Sequence, residues 1–263
     1  MDLEKTLSRQ EMLSISKPAR YIGREWNISL KKKEDVEISV ALAFPDLYEI
    51  GMSHLGLKIL YYILNSLPGV RAERAFAPWP DMGKMMKEKN IPLYSLENKI
   101  PLRNFDAVGI SLQHELNYTN VLYLLDLAGI PLRSEERGEE FPLILGGGPC
   151  AFNPEPVSPF FDVFLLGEGE EAIVEIMEIL RVMKGEKRSD VLSELAKIEG
   201  CYVPLLYSVS YHPDGKIKNI SPSRVVRKRW VKNLDGAPYP QKIIVPYLSI
   251  VHDRIPLEIA RGC

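Results

Sequence analysis

An α/β fold, Rossmann-like and doubly wound around a mostly parallel sheet, is what this sequence predicts, and three observations lead to it. Short apolar runs recur between residues 36 and 166, too brief for helices and too apolar for an exposed sheet face. Segments with apolar residues at helical spacing alternate with them. Two runs, residues 142–145 and 160–166, lead into glycine-rich turns, 146–148 and 167–169, where an open α/β sheet receives its ligands. The plainer reading of Gly146, Gly147 and Gly148 is a tight strand-to-loop corner.

The elements follow in order. Residues 1–35 form a leading arm with one helix, expected to pack through Tyr21, Ile22 and Trp26. VEISVALAF, 36–44, is the first strand, and its loop, 45–54, precedes a helix over 55–67 that Pro68-Gly69 ends. A second strand over 70–76 and a helix over 80–89 come next. The third strand is DAVGISL, 106–112, followed by a helix over 116–128 that stops at Gly129. The fourth and fifth strands are the glycine-ended runs, and Gly167-Glu168-Gly169 opens a helix carrying Ile173, Ile176, Met177 and Leu180 on one face. Five strands alternating with helices give right-handed crossovers and the flavodoxin-like order 2-1-3-4-5, with a crevice between the loops after strands one and three. These elements make one domain over 36–184.

Beyond residue 184 the character changes. A connector over 185–242 contains a small helix, 189–198, and two strand-like runs, 202–211 and 216–220, around the hairpin signal His212-Pro213-Asp214-Gly215. Residues 243–251 and 255–259 look like further strands of a third unit, 243–263.

Bulk properties narrow the function. With 263 residues, 46% hydrophobic and 26% charged, the chain has material for sizeable cores, and a formal net charge of −2 argues against binding nucleic acid over its whole surface. The N-terminus lacks the apolar core of a signal peptide, and no apolar run approaches the roughly 20 residues that span a bilayer, so a cytoplasmic protein without membrane contact is expected. Its three cysteines, Cys150, Cys201 and Cys263, are too scattered for a disulfide framework or a complete metal site. Cys263 follows a strand-like run with no stop signal, so the chain is expected to be a fragment.

Asp46-Leu47-Tyr48-Glu49-Ile50-Gly51 after the first strand, Ser111-Leu112 at the end of the third and Gly146-Gly147 at the end of the fourth resemble the cobalamin-binding domain signature D-x-H-x-x-G, S-x-L, G-G. The resemblance implies a slot beside the sheet for the cofactor's nucleotide tail, with the serine against the displaced base. Tyr48 stands where the cobalt-ligating histidine would be, so cobalamin would bind without that ligand; the alternative is a fold that persists without the cofactor, as a structural or docking module. IPLEIARGC, 255–263, resembles the start of a radical S-adenosylmethionine barrel, whose C-x-x-x-C-x-x-C loop holds a [4Fe-4S] cluster and S-adenosylmethionine. Cys263 is the first position of that loop, and the partner implied is the rest of the barrel. Together with Lys17 to Tyr21, Ala77 to Met82, Gly146 to Pro156, Gly167 to Glu170 and His252-Asp253-Arg254, the chain resembles an uncharacterised family of B12-binding-domain radical SAM proteins. On that resemblance the candidate cofactor contacts are Asp46, Tyr48, Gly51, Ser111, Leu112, Gly146, Gly147, Gly148, Gly167 and Glu168, with Cys263 for the metal.

Other polar groups have two readings each. His54 either caps or precedes the first helix or takes the place of Tyr48 as a cobalt ligand, and His252-Asp253-Arg254 either brace the cluster loop or pair between domains. Arg224, Arg227, Lys228 and Arg229 with Trp230 suit RNA phosphates and a stacked base, as the substrate surface of an RNA-modifying radical SAM enzyme, or else a solvated strand edge or a domain contact.

Overall fold

The computed structural model describes residues 7–261. Five parallel strands, β1 (Ile38–Phe44), β2 (Val70–Phe76), β3 (Ala107–Ser111), β4 (Leu143–Gly147) and β5 (Val163–Leu165), are joined by an antiparallel edge strand, β6 (Cys201–Tyr202). The sheet order is β2-β1-β3-β4-β5-β6, so the expected doubly wound α/β arrangement is present with one strand added.

Alternation along β1 explains the layers. Every residue of this strand is buried: Ile38, Val40, Leu42 and Phe44 enter one core, while Ala41 and Ala43 enter the other. The first core is covered by α3 (Leu55–Ser66), α6 (Ala172–Val182) and α7 (Arg188–Leu195), the second by α4 (Pro80–Glu88) and α5 (Tyr118–Ala128). Two short helices, α1 (Arg9–Ser14) in the arm and α2 (Tyr48–Gly51) after β1, complete the set. Large side chains therefore face α3 and α6, and small ones let α4 and α5 approach closely.

The arm differs from its expected packing. Tyr21 is buried and its hydroxyl accepts a hydrogen bond from the Trp79 backbone N–H at 3.0 Å, but Ile22 and Trp26 are exposed. Charge does the remaining work: Arg20 lies against Glu49 at 2.8 Å, and Glu25 reaches Arg74 at 3.0 Å.

Two strand expectations are corrected. The run 202–211 is divided: Tyr202 ends β6, a 3-10 turn over Pro204–Leu206 follows, and only Ser208–Tyr211 (β7) pairs with Ile217–Ser221 (β8) in the hairpin. Proline at 204 supplies no N–H for a continuing ladder. Residues 243–251 and 255–259 form no strand; a single bridge joins Val245 to Trp26. Pro246 and Pro256 interrupt these runs, and the outer edge of β2 is already capped by residues 96–97, where Leu96 N–H donates to Arg74 at 2.8 Å. Among the described residues no helix is long and apolar enough to cross a membrane.

Candidate functional site

A cleft of about 460 Å³ opens at the carboxyl ends of the strands, between α3 and α6. Its floor is Leu42, Gly109 and Leu145, side by side on β1, β3 and β4. Apolar residues of the two helices, Leu57 and Leu60 on one side and Ile173 and Ile176 on the other, form the walls.

The glycines differ in what they do. Gly147 pairs with Ser111 across β3 and β4, and a Cβ placed on it would meet nothing within 4 Å, so the missing side chain leaves ligand space. A Cβ on Gly146 would lie 2.8 Å from Phe164, which makes that glycine a packing residue of the opposite face although its backbone lines the cleft. Gly148 has φ 98° and turns the chain under the Leu112 carbonyl, which accepts from Cys150 N–H at 3.0 Å. Gly167, at φ 111°, lies against the Arg229 backbone, whose N–H donates to Leu166 at 2.9 Å.

Ser111, Gly146, Gly147, Gly148, Gly167 and Glu168 thus come together around the cleft, whereas Asp46, Tyr48, Gly51 and Leu112 lie outside it. Asp46 secures the loop after β1, accepting from Leu47 N–H at 2.7 Å and from Asn117 Nδ2 at 3.2 Å. Tyr48 is buried edge-on to Phe76, and its hydroxyl donates to Glu25 at 3.0 Å. Burial and the neighbouring Glu25 carboxylate push that phenol's pKa up, keeping it neutral. Gly51 is held against the Phe76 ring, and Leu112 is buried in the core of the other face.

Several polar groups complete the site. Gln113 Nε2 donates to the Ser111 hydroxyl oxygen at 2.7 Å, which leaves the hydroxyl proton for a ligand acceptor. His54 lines the cleft and begins α3, its Nδ1 accepting from Leu57 N–H at 3.1 Å. Burial lowers its pKa, more than Gln113 restores, so the ring is neutral at pH 7. At the rim Arg261 engages Glu170, and also Glu258 at 2.6 Å and Glu168 at 3.6 Å. No local pattern announces this contact, because the carboxylates of 168 and 170 are remote in sequence from Arg261.

The described residues do not fit an iron–sulfur cluster. Cys150 and Cys201 are buried in opposite cores, and burial raises both thiols, that of Cys201 to about 12. No group of three or more His, Cys, Asp or Glu among them is placed to hold a metal ion. Cys263 lies outside the described residues.

Fold and cleft define the class first: an open, doubly wound α/β domain with a cleft at its switch point. Residues 56–204 match the family model described as radical SAM proteins, N-terminal, and the chain belongs to that family. It is also similar to an uncharacterised protein of Methanocaldococcus jannaschii, with 27% identity over 165 residues. That match covers 62% of this chain and 31% of the relative's length. No solved structure matches it.

Proposed function

We propose that this chain is the cofactor-holding N-terminal part of a radical S-adenosylmethionine enzyme, and that the cleft between α3 and α6 receives the nucleotide tail of a cobalamin. The observation that carries the reading is the open wall at Gly147 beside the unspent proton of Ser111. Leu60, Leu145 and Ile173 would give the planar, weakly polar ring of the tail its apolar walls, and the Ser111 hydroxyl would supply a hydrogen-bond donor to it. The residues fit the tail, but they do not fit a cobalt ligand from the loop after β1, because Tyr48 is turned into the core toward Glu25. His54 is engaged through Nδ1 in starting α3 and orients that helix along the cleft.

When bound, cobalamin supplies a carrier for a methyl group. What this chain contributes is shape and dryness: Gly109 and Gly147 admit the ring, α3 and α6 exclude water from its faces, and Arg261 with Glu170 closes the rim. Chemistry on S-adenosylmethionine would belong to a radical S-adenosylmethionine barrel, whose opening sequence residues 255–263 resemble.

The test is retention of hydroxocobalamin by the purified protein after desalting, read from the visible spectrum. Wild type is expected to keep the corrin absorbance and Gly147→Leu, which fills the open wall, to lose it. A desalted wild type without corrin absorbance overturns the reading and leaves a cofactor-free docking domain.

A further inference from the structure

The formal net charge of −2 conceals a local reversal: residues 214–232 carry seven basic side chains and one acidic one, Asp214. Asp214 is matched by Lys216 at 3.2 Å, and Arg229 is committed to Glu171 at 2.8 Å and Glu175 at 2.7 Å. Lys218, Arg224, Arg227 and Lys232 are exposed, and none has an ion pair among the described residues. A solvated face needs nothing more than this. The aromatic residues beside it ask for a different explanation.

Residues 228–231 are fixed rather than loose. Arg229 N–H donates to Leu166 at 2.9 Å, its carbonyl accepts from Glu168 N–H at 3.1 Å, and Val231 N–H donates to the Glu168 carboxylate. In such an extended segment alternate side chains leave on opposite sides. Arg229 points to the acids of α6, and Lys228 and Trp230 share the other side. There the Lys228 ammonium lies 3.6 Å from the Trp230 ring centroid and 5.5 Å from that of Phe152. Trp230 is 58% exposed and Phe152 51% exposed, so two ring surfaces meet water with a cation fixed between them.

We propose that this strip is a binding surface for a single-stranded polynucleotide. Exposed aromatic faces take unstacked bases irrespective of sequence, while a line of unpaired cations follows the phosphates. A duplex hides its base faces and offers the indole nothing to stack on. The same Gly167–Glu168 turn lines the cleft and carries Arg229, so a strand on the strip passes along the cleft's rim. This inference stands apart from the cobalamin reading and does not depend on it.

The test is anisotropy of labelled oligouridylate, oligothymidylate and a duplex of equal length, titrated with the full chain between about 50 and 200 mM salt. Single strands are expected to bind with a log–log salt slope of about −2, as three phosphate contacts give, and to quench tryptophan fluorescence. Trp230→Ala is expected to weaken binding at least about fivefold and abolish the quench. Arg227→Gln/Lys228→Gln flattens the salt slope while far-UV circular dichroism stays unchanged. Preference for oligouridylate over oligothymidylate identifies RNA as the source of the strand, and equal binding identifies single strands in general. Equal binding of the duplex, or of a base-free polyanion with no effect of Trp230→Ala, overturns the proposal in favour of an acidic protein surface. Absence of binding at the lower salt overturns it outright.

Discussion

Arg74 Nε donates to Glu97 at 2.6 Å from a position on β2 that is 1% exposed, and its other arm reaches Glu25 at 3.0 Å. One guanidinium thus fastens both the leading arm and the 95–100 segment to the edge of the sheet. Desolvation disfavours the cation, but the two carboxylates outweigh it and raise the Arg74 pKa.

Removing that cation strands two buried carboxylates. Arg74→Met is expected to cost about 3–5 kcal/mol, read as a lowered urea midpoint. Adding Glu25→Gln and Glu97→Gln should recover much of the loss, since the penalty lies in uncompensated charge rather than missing volume. A single variant within about 1 kcal/mol of wild type would show that water reaches these groups.

A pH dependence follows from Glu49. Burial alone would raise its pKa, but hydrogen bonds from Arg20 and Lys17 prevail and bring it to about 2, from 4.5. A carboxylate depressed in the folded state stabilises the fold above its unfolded pKa and loses that contribution as pH falls through the folded value. Stability worth roughly 2–3 kcal/mol is therefore expected to disappear between about pH 5 and pH 2. Melting temperatures over that interval should fall less steeply for Glu49→Gln, and parallel curves would count against the pairing.

The two kinds of glycine are separable by substitution. A Cβ on Gly51 would sit 2.3 Å from Phe76, whereas one on Gly147 meets nothing within 4 Å. Gly51→Ala is expected to destabilise by about 1–3 kcal/mol through overpacking, and Gly147→Ala to leave the unfolding midpoint near its wild-type value. Reversed sensitivities would mean that the cleft wall is packed and the α2 turn is loose.

What could be read from the sequence divides along the range of the interactions. Strands β1, β3, β4 and β5 are legible because burial on both faces writes a run of apolar residues, as in ISVALAF. The two-residue β6 is too short to carry a period. Residues 243–259 have the composition of strands but not the neighbours, since β propensity expresses packing against a partner. Within the site, Gly147 and Ser111 lie at strand ends and could be placed, whereas Tyr48 follows its strand yet turns inward because Glu25, far upstream, offers it an acceptor. The string VRAERAF does not disclose the burial of its charges; Arg74 is buried there because the arm and the 95–100 segment fold over it.

The rim contact yields the last prediction. Arg261 is held by Glu168 and Glu170 on the cleft's own loop and by Glu258 on its own segment, so the final described segment lies across the entrance. Hydrogen bonds that Arg261 donates to the Glu258 and Glu170 carboxylates raise its pKa, and the charge persists throughout the accessible pH range. Ion pairs at this partly exposed depth are worth little singly and are weakened by salt. Entry of an apolar fluorescent probe into the cleft is therefore expected to quicken with ionic strength in wild type. Arg261→Gln should be faster at low salt and nearly insensitive to it, while the equilibrium intensity changes less than the rate. A wild-type rate that does not respond to salt would place the entrance elsewhere, between the N-terminal end of α3 and the 113–116 turn.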